Sequence, residues 1–304
     1  MNLHNNKESF DALIELISDF YKIDPSLVEK DYYVTLILKE LAARIPNLVF
    51  KGGTSLSKCY KIIDRFSEDI DLTLDGDHQT QGQKRQMKKE ILEACEKLEF
   101  HLANFDDIRC RRDYNCYKIE YSIQHSLTSI KPFLLVETTY ITKAYPCEIK
   151  SVTSIVYDYL KEMGNEQAIK KYQLEPFDIR VQTLDRTLID KVFALCDYMI
   201  GKRIVRNSRH IYDLSRLITS VNLDNSLKAL ILEVRSDRKK HQSCYSAQDG
   251  VNVAQILTDI IESGAYRNDY ETITRDMLFK YVTYDETIKA LEVIISSGVF
   301  NTEN

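Results

Sequence analysis

Two aspartates, Asp69 and Asp71, stand one residue apart in the stretch Ser-Glu-Asp-Ile-Asp-Leu-Thr-Leu at 67–74. In an extended strand alternate side chains point to one face, so the two carboxylates lie roughly 7 Å apart on the same side. Like charges so placed repel, and burial adds a desolvation cost, unless something cationic offsets them. A hard divalent ion such as Mg²⁺ meets that need, because it is commonly held by one or two carboxylates together with substrate phosphates. A D-x-D pair alone is more commonly the mark of an amphipathic strand whose polar face meets water. What separates this pair from that pattern is its neighbour. Gly52, Gly53, Thr54 and Ser55 form a turn leading into a helix, with backbone N–H groups and hydroxyls suited to phosphate. Such glycines also serve any tight turn that needs their dihedrals. Turn and acid pair together point to a nucleotide and a metal.

A third carboxylate completes the set required for two-metal phosphoryl chemistry. Glu137 lies in Leu-Leu-Val-Glu-Thr-Thr-Tyr, an apolar run where an acid is costly without a partner. Glu120, in Tyr-Lys-Ile-Glu-Tyr-Ser, is the competitor; the more apolar run makes Glu137 the better choice. The ordinary alternative for either is a carboxylate that faces solvent or pairs with a lysine. Lys191 sits between Asp190 and Val192 in an apolar helical segment, where an ammonium needs an anion or a path to solvent. Asp213 has its own local explanation, an i,i+4 helix pair with Arg209.

The elements that position these residues follow from periodicity. Residues 7–22 carry Phe10, Leu13, Ile14, Ile17 and Tyr21 on one helical stripe. A second helix begins with Asp24 as N-cap and Pro25 at its first position, and Pro46 ends it. A short strand at 48–50, the glycine turn and a helix come next, then the alternating strand 69–74. A polar helix over about 79–99 and strands at 116–123 and 133–141 complete an α+β core. Beyond about 150 the pattern is helical, with segments at 184–200, 208–219, 225–239, 250–262 and 285–297. These signals predict an α+β chain: N-terminal helices and a mixed-sheet core over 1–147, and a helical domain over 148–304.

The net charge is −5 and the pI near 5.8, which disfavours indiscriminate duplex binding but leaves room for a local basic groove. Two basic stretches, 109–118 and 235–241, are candidates to follow a phosphate backbone, and the first has two interleaved tyrosines. Cys59, Cys95, Cys110, Cys116, Cys147, Cys196 and Cys244 form no C-x-x-C pair and read as reduced thiols. The scattered histidines give no zinc pattern. The N-terminal residues lack a secretory pattern, and no stretch is apolar enough to span a bilayer, so the expected compartment is the cytoplasm and no membrane partner is expected.

Lys-Gly-Gly-Thr-Ser-Leu-Ser-Lys (51–58), Ser-Glu-Asp-Ile-Asp-Leu (67–72), Arg-Thr-Leu-Ile-Asp-Lys-Val-Phe-Ala-Leu (186–195) and Arg-His-Ile-Tyr-Asp-Leu-Ser-Arg-Leu (209–217) together resemble motifs of the AbiEii/AbiGii toxin family of nucleotidyltransferases. The helix starting Val-Glu-Lys-Asp-Tyr-Tyr (28–33) is similar to that family's N-terminal helix. The resemblance implies the polymerase-β-like nucleotidyltransferase fold. It implies that Gly52, Gly53, Thr54 and Ser55 hold an NTP, that Ser67 accompanies Asp69 and Asp71, and that the two aspartates bind one or two Mg²⁺ ions. It further implies that Lys191 contacts phosphates and that Asp213 is the last acidic position, with Arg209 beside it. Which hydroxyl, Thr54 or Ser55, touches phosphate is left open by the longer spacing to D-x-D.

The expected reaction is attack of an acceptor hydroxyl on the α-phosphorus of the NTP, with Glu137 completing the metal set. By resemblance the acceptor is RNA, foremost the tRNA 3′ end, and the biological setting is a toxin–antitoxin or abortive-infection system with a cognate antitoxin. Two rival readings are an enzyme of the same fold acting on a small molecule or a protein hydroxyl, and a non-catalytic module that binds RNA or a protein. Intact Asp69, Asp71 and Lys191 speak against the latter.

Overall fold

A computed structural model of the chain describes residues 1–67, 69–76, 79–125 and 131–301. Glu68, inside the second sequence motif, lies outside the described residues. The chain divides into two units: Met1–Tyr60 with Glu68–Tyr140 and Glu148–Val181, and Lys61–Ser67 with Ile141–Cys147 and Gln182–Asn304.

In the first unit, helices α1 (Lys7–Tyr21) and α2 (Pro25–Arg44) precede strand β1 (Leu48–Lys51) and helix α3 (Gly52–Lys58). Strand β2 (Asp69–Leu74), helix α4 (Gln81–Lys97) and strands β3 (His101–Leu102), β4 (Tyr114–Glu120), β5 (Leu134–Thr139) and β6 (Cys147–Val152) follow. Helices α5 (Ile155–Glu162) and α6 (Glu166–Lys171) lead to strand β7 (Phe177–Gln182). The strands form one sheet in the order β3-β4-β5-β2-β1-β7-β6. β2 runs antiparallel to β1 and parallel to β5, and β5 is antiparallel to β4.

The period-2 reading of β2 is realised. Ile70, Leu72 and Leu74 are buried, as are Leu134 and Val136 of β5 and Tyr117 and Ile119 of β4. They join one apolar core with Phe10, Ile14 and Ile17 of α1, Ile37, Leu38 and Leu41 of α2, and Met87 and Ile91 of α4. Each such side chain is worth about 1.5–3 kcal/mol when fully buried. The opposite face of the same strands carries Asp69, Asp71, Glu137, Cys116 and Lys118, all only half-buried.

Helix α2 opens as its sequence predicts, with the Asp24 side chain accepting from the Ser26 N–H and Pro25 in the first turn. Its charged triplet Glu29-Lys30-Asp31 is structural. Glu29 is 1 % exposed and accepts the backbone N–H groups of Gln124 (2.9 Å) and His125 (2.7 Å). Lys30 Nζ donates to the Lys131 carbonyl at 2.9 Å. Asp31 accepts from Lys58 Nζ at 2.6 Å and from the Ile155 N–H at 2.8 Å. Three consecutive charges on a core helix are thus each bound to another segment of the unit.

The second unit is built on α7 (Leu184–Ile200), α8 (Arg209–Leu217), α9 (Asn225–Arg238), α10 (Val253–Ser263), a single turn α11 (Arg267–Asp269) and α12 (Tyr284–Ser297). Its buried side chains include Leu188, Ile189, Val192 and Phe193 of α7, Ile211 and Leu214 of α8, and Leu291 and Ile294 of α12. Among the described residues no helix is long and apolar enough to cross a membrane.

The sequence predicts helices alone beyond about 150, and here the structure differs: β6 and β7 complete the sheet. β6 is hidden by polarity, since only Val152 of its six residues is buried. β7 is short, and its inward residues Ile179 and Val181 are flanked by helical pattern.

Replacing Asp31 by Ala leaves the Lys58 ammonium without its carboxylate and the Ile155 N–H unpaired. Urea unfolding should show a loss of about 3 kcal/mol; a loss below about 1 kcal/mol would mean that the bridge is dispensable.

Candidate active site

Register decides which polar side chains meet. Asp71 is the Cα partner of Lys51 on β1 and of Glu137 on β5, and Glu137 is the partner of Cys116 on β4. Lys51, Asp71, Glu137 and Cys116 therefore form a row across four strands on one sheet face, at the usual spacing of about 4.8 Å per strand. Asp69 lies two residues along the same face, opposite Leu135. The glycine turn closes on this row. Gly52 has φ +76°, and a Cβ there would lie 1.9 Å from Asp71 Oδ2. Only glycine allows the turn to approach the carboxylate so closely while adopting that dihedral.

The two hydroxyls of the turn are both buried and both engaged. Thr54 Oγ1 donates to the Asp69 carbonyl at 2.5 Å, and Ser55 Oγ donates to the Gly52 carbonyl at 2.8 Å. Thr54 thereby ties the turn to the aspartate strand. The backbone N–H groups that open α3, Gly53 among them, have no helical carbonyl of their own to meet.

The local field is negative. Burial first, and the Glu137 charge second, push the Cys116 thiol up to about 11. Burial first, and that same charge second, raise the Tyr114 pKa far above the ordinary tyrosine value. Lys131 Nζ stands 4.0 Å from Asp69 Oδ1. Glu120 is elsewhere: it is the register partner of His101 at the sheet edge, with Lys118 Nζ at 3.7 Å. Of the two competing glutamates, Glu137 is the one beside Asp71.

Among the described residues, no three His, Cys, Asp or Glu side chains are placed so that they could hold a metal ion by themselves, Asp69, Asp71 and Glu137 included. The donor set is all carboxylate oxygen, with the Gly52 turn against one of the acids. It suits a hard ion that completes its shell with phosphate and water oxygens.

The remaining sequence candidates lie in the second unit. Arg65 grips Asp213 with two parallel bonds, Nε to Oδ1 and Nη2 to Oδ2, each 2.7 Å. Lys191 Nζ donates to Asp213 Oδ2 at 2.5 Å. Asp213 is 0 % exposed, Arg65 3 % and Lys191 6 %. Burial by itself would raise the Asp213 pKa; the two cations outweigh it and hold the carboxyl well below the usual range. Beside them His210 has its pKa driven well below the ordinary histidine value, first by burial and then by Lys191, so it is neutral at pH 7. Asp213 thus acts on its surroundings through Lys191 and Arg65, rather than through an i,i+4 bond to Arg209. Arg209 begins α8, and Ser67 ends the segment Lys61–Ser67 of this unit.

The basic stretch 235–241 is largely committed to the fold. Arg235 donates to the Gln248 and Val251 carbonyls, Arg238 pairs with Asp197, Lys239 with Asp249 and Lys240 with Asp237. In 109–118, Arg109 bonds to the Asp106 carbonyl. The sequence reading missed Arg65, Tyr114 and Lys131. Arg65 carried the clearest signal, a lone arginine just before the D-x-D motif.

A family model described as "Nucleotidyl transferase AbiEii toxin, Type IV TA system" matches residues 36–290. Among solved structures, MenT4, a nucleotidyltransferase toxin from Mycobacterium tuberculosis H37Rv, superposes with a TM-score of 0.50 at 18% identity, covering 92% of this chain and 98% of that one. JHP933 from Helicobacter pylori gives a TM-score of 0.47 at 17% identity, covering 89% and 90%. No curated protein matches the chain by sequence.

Gly52→Ala forces the turn away from Asp71 and is expected to cost about 1–3 kcal/mol in urea unfolding; wild-type stability would contradict the close approach. Asp213→Ala strands two buried cations and should cost about 3–5 kcal/mol near neutral pH. The pH dependence has a definite sign. Because the folded pKa lies below the unfolded value, the stabilisation is full above about pH 4 and is lost as pH falls below it. The stability difference between wild type and variant, followed by denaturant titration, should therefore shrink on acidification; a constant gap would refute the assignment.

Proposed function

The chain belongs to the AbiEii family of nucleotidyltransferase toxins of type IV toxin–antitoxin systems, and from that premise we propose that it transfers NMP from an NTP to an RNA acceptor, foremost the 3′ end of a tRNA, in a Mg²⁺-dependent reaction. The observation that carries this reading is the register that sets Asp71 beside Glu137 with the Gly52 turn against the aspartate. Acids in adjacent strands have no packing purpose, and their repulsion is lowest when a cation and a polyanion share the site.

In this reading Asp69, Asp71 and Glu137 hold the ion, and the N–H groups of the Gly52–Ser55 turn cradle phosphate. Mg²⁺, when bound, offsets charge on the phosphates and favours ionisation of the acceptor hydroxyl. The acceptor oxygen forms a bond to the α-phosphorus while the bond from that phosphorus to the bridging oxygen of the β-phosphate breaks, and pyrophosphate leaves with the electron pair. Glu137 receives the acceptor proton. On the family resemblance, Lys191 is assigned to the phosphates with Ser67 and Arg209. Asp213 is assigned to orienting Lys191. An antitoxin is the expected protein partner, and the cytoplasm the expected setting.

The test is incubation with each α-labelled NTP, Mg²⁺ and total RNA, followed by separation of the labelled species. Label should appear in RNA. The Asp69→Ala/Asp71→Ala double variant should lose at least about 10³-fold in rate, as expected when charge stabilisation at the reacting phosphate is removed. Undiminished labelling by that variant refutes the mechanism, and label confined to protein or a small molecule refutes the RNA acceptor.

A further inference from the structure

The connection between α7 and α8, residues 201–208, carries Lys202, Arg203 and Arg206, all exposed, around Val205, which is 72 % exposed. Among the described residues, no ion pair joins any of these three cations to a carboxylate. Other arginines of the unit are committed to carboxylates: Arg216 to Asp64, Arg238 to Asp197 and Arg267 to Asp285. The chain as a whole has net charge −5.

The loop is built to hold this arrangement. The buried carboxylate of Asp269 accepts the backbone N–H groups of Arg206 (2.7 Å) and Ser208 (3.0 Å), so this acid is spent on the main chain rather than on a guanidinium. Asn207 Nδ2 donates to the Arg203 carbonyl at 2.8 Å. Lys202 and Arg206 both adopt positive φ, 53° and 65°, which non-glycine residues rarely do without such support.

Aromatic rings border the cations. The Arg203 guanidinium lies 5.5 Å from the Tyr198 ring centroid. A Cβ at Gly201 would lie 3.2 Å from Arg203 Nε and 3.5 Å from Tyr245 Cε2, so Arg203 and Tyr245 flank the same bare glycine. Tyr245 is 41 % exposed. Cations that follow a backbone, together with exposed rings on which bases stack, are the physical requirements for single-stranded nucleic acid. An acidic protein surface would use the cations but not the rings.

We propose that the 201–208 loop, with Tyr245, is a docking surface for single-stranded RNA. Lys202, Arg203 and Arg206 meet phosphodiesters and Tyr245 stacks a base. This rests on the RNA-acceptor reading above and adds the surface that holds the acceptor.

The experiment is equilibrium binding of a fluorescent single-stranded RNA to the full chain over a series of salt concentrations, without NTP, so that catalysis does not enter. For wild type, log K should fall linearly with log salt. The Lys202→Ala/Arg203→Ala/Arg206→Ala variant should bind more weakly, with a slope shallower by about 2, from about 0.7 for each lost phosphate contact on a single strand. Tyr245→Ala should lose about tenfold in affinity with the slope retained. Circular dichroism melts confirm that each variant is folded; should the triple variant fail to fold, Arg203→Gln alone should reduce the slope by about 0.7. If wild type binds RNA and the variants keep both affinity and slope, the surface is wrong while the acceptor reading stands. If wild type does not bind RNA, both are wrong. Loss of binding to an acidic protein with RNA binding intact would reassign the loop to a protein partner.

Discussion

Asp71 and Glu137 are held side by side by backbone hydrogen bonding, not by any attraction between them. Their Cα atoms are register partners on parallel strands, and neither can leave the row without breaking the pairing of β2 with β5. A one-residue slip would turn Ile70 and Leu72 out of the core, so the apolar face enforces the charged one. The cost of crowding is mitigated locally. Lys51 shares the row, and Lys131 approaches Asp69. Burial first, and the Glu137 charge second, raise the Cys116 thiol pKa.

The N-terminal helices serve the same end at a distance. Glu29 holds the backbone at Gln124 and His125, and Lys30 holds the Lys131 carbonyl, so the core helix α2 fixes the residue whose ammonium lies near Asp69. Charges that seem misplaced on a core helix are there to fasten other segments.

The second unit solves the opposite problem. One carboxylate, Asp213, serves two buried cations, Arg65 and Lys191, and His210 beside them is kept neutral. The two cations outweigh the cost of burial and keep Asp213 ionised, and removing the acid would leave two uncompensated charges. On the surface of that unit the accounting is by position rather than number. Arg235 and Arg238 lie in a conspicuously basic stretch and are engaged by the fold, whereas Lys202, Arg203 and Arg206 lie in a less conspicuous one and keep their charge for a partner.

Much of this was legible in the residues. Alternation in 69–74 set Asp69 and Asp71 on one face, because strand geometry follows from the backbone alone. Helical periodicity located the helices of the second unit, and four motifs carried the family. The tertiary structure decided the rest. Glu137 rather than Glu120 beside Asp71 is a matter of register, and register depends on which strands pair. β6 and β7 escaped detection because the sheet, not their own composition, makes them strands. That Thr54 and Ser55 turn their hydroxyls onto carbonyls, and that Asp213 takes Arg65 from 148 residues away, follow from contacts that no local pattern encodes. Sequence fixes what a segment can be; only packing determines which distant charge it meets.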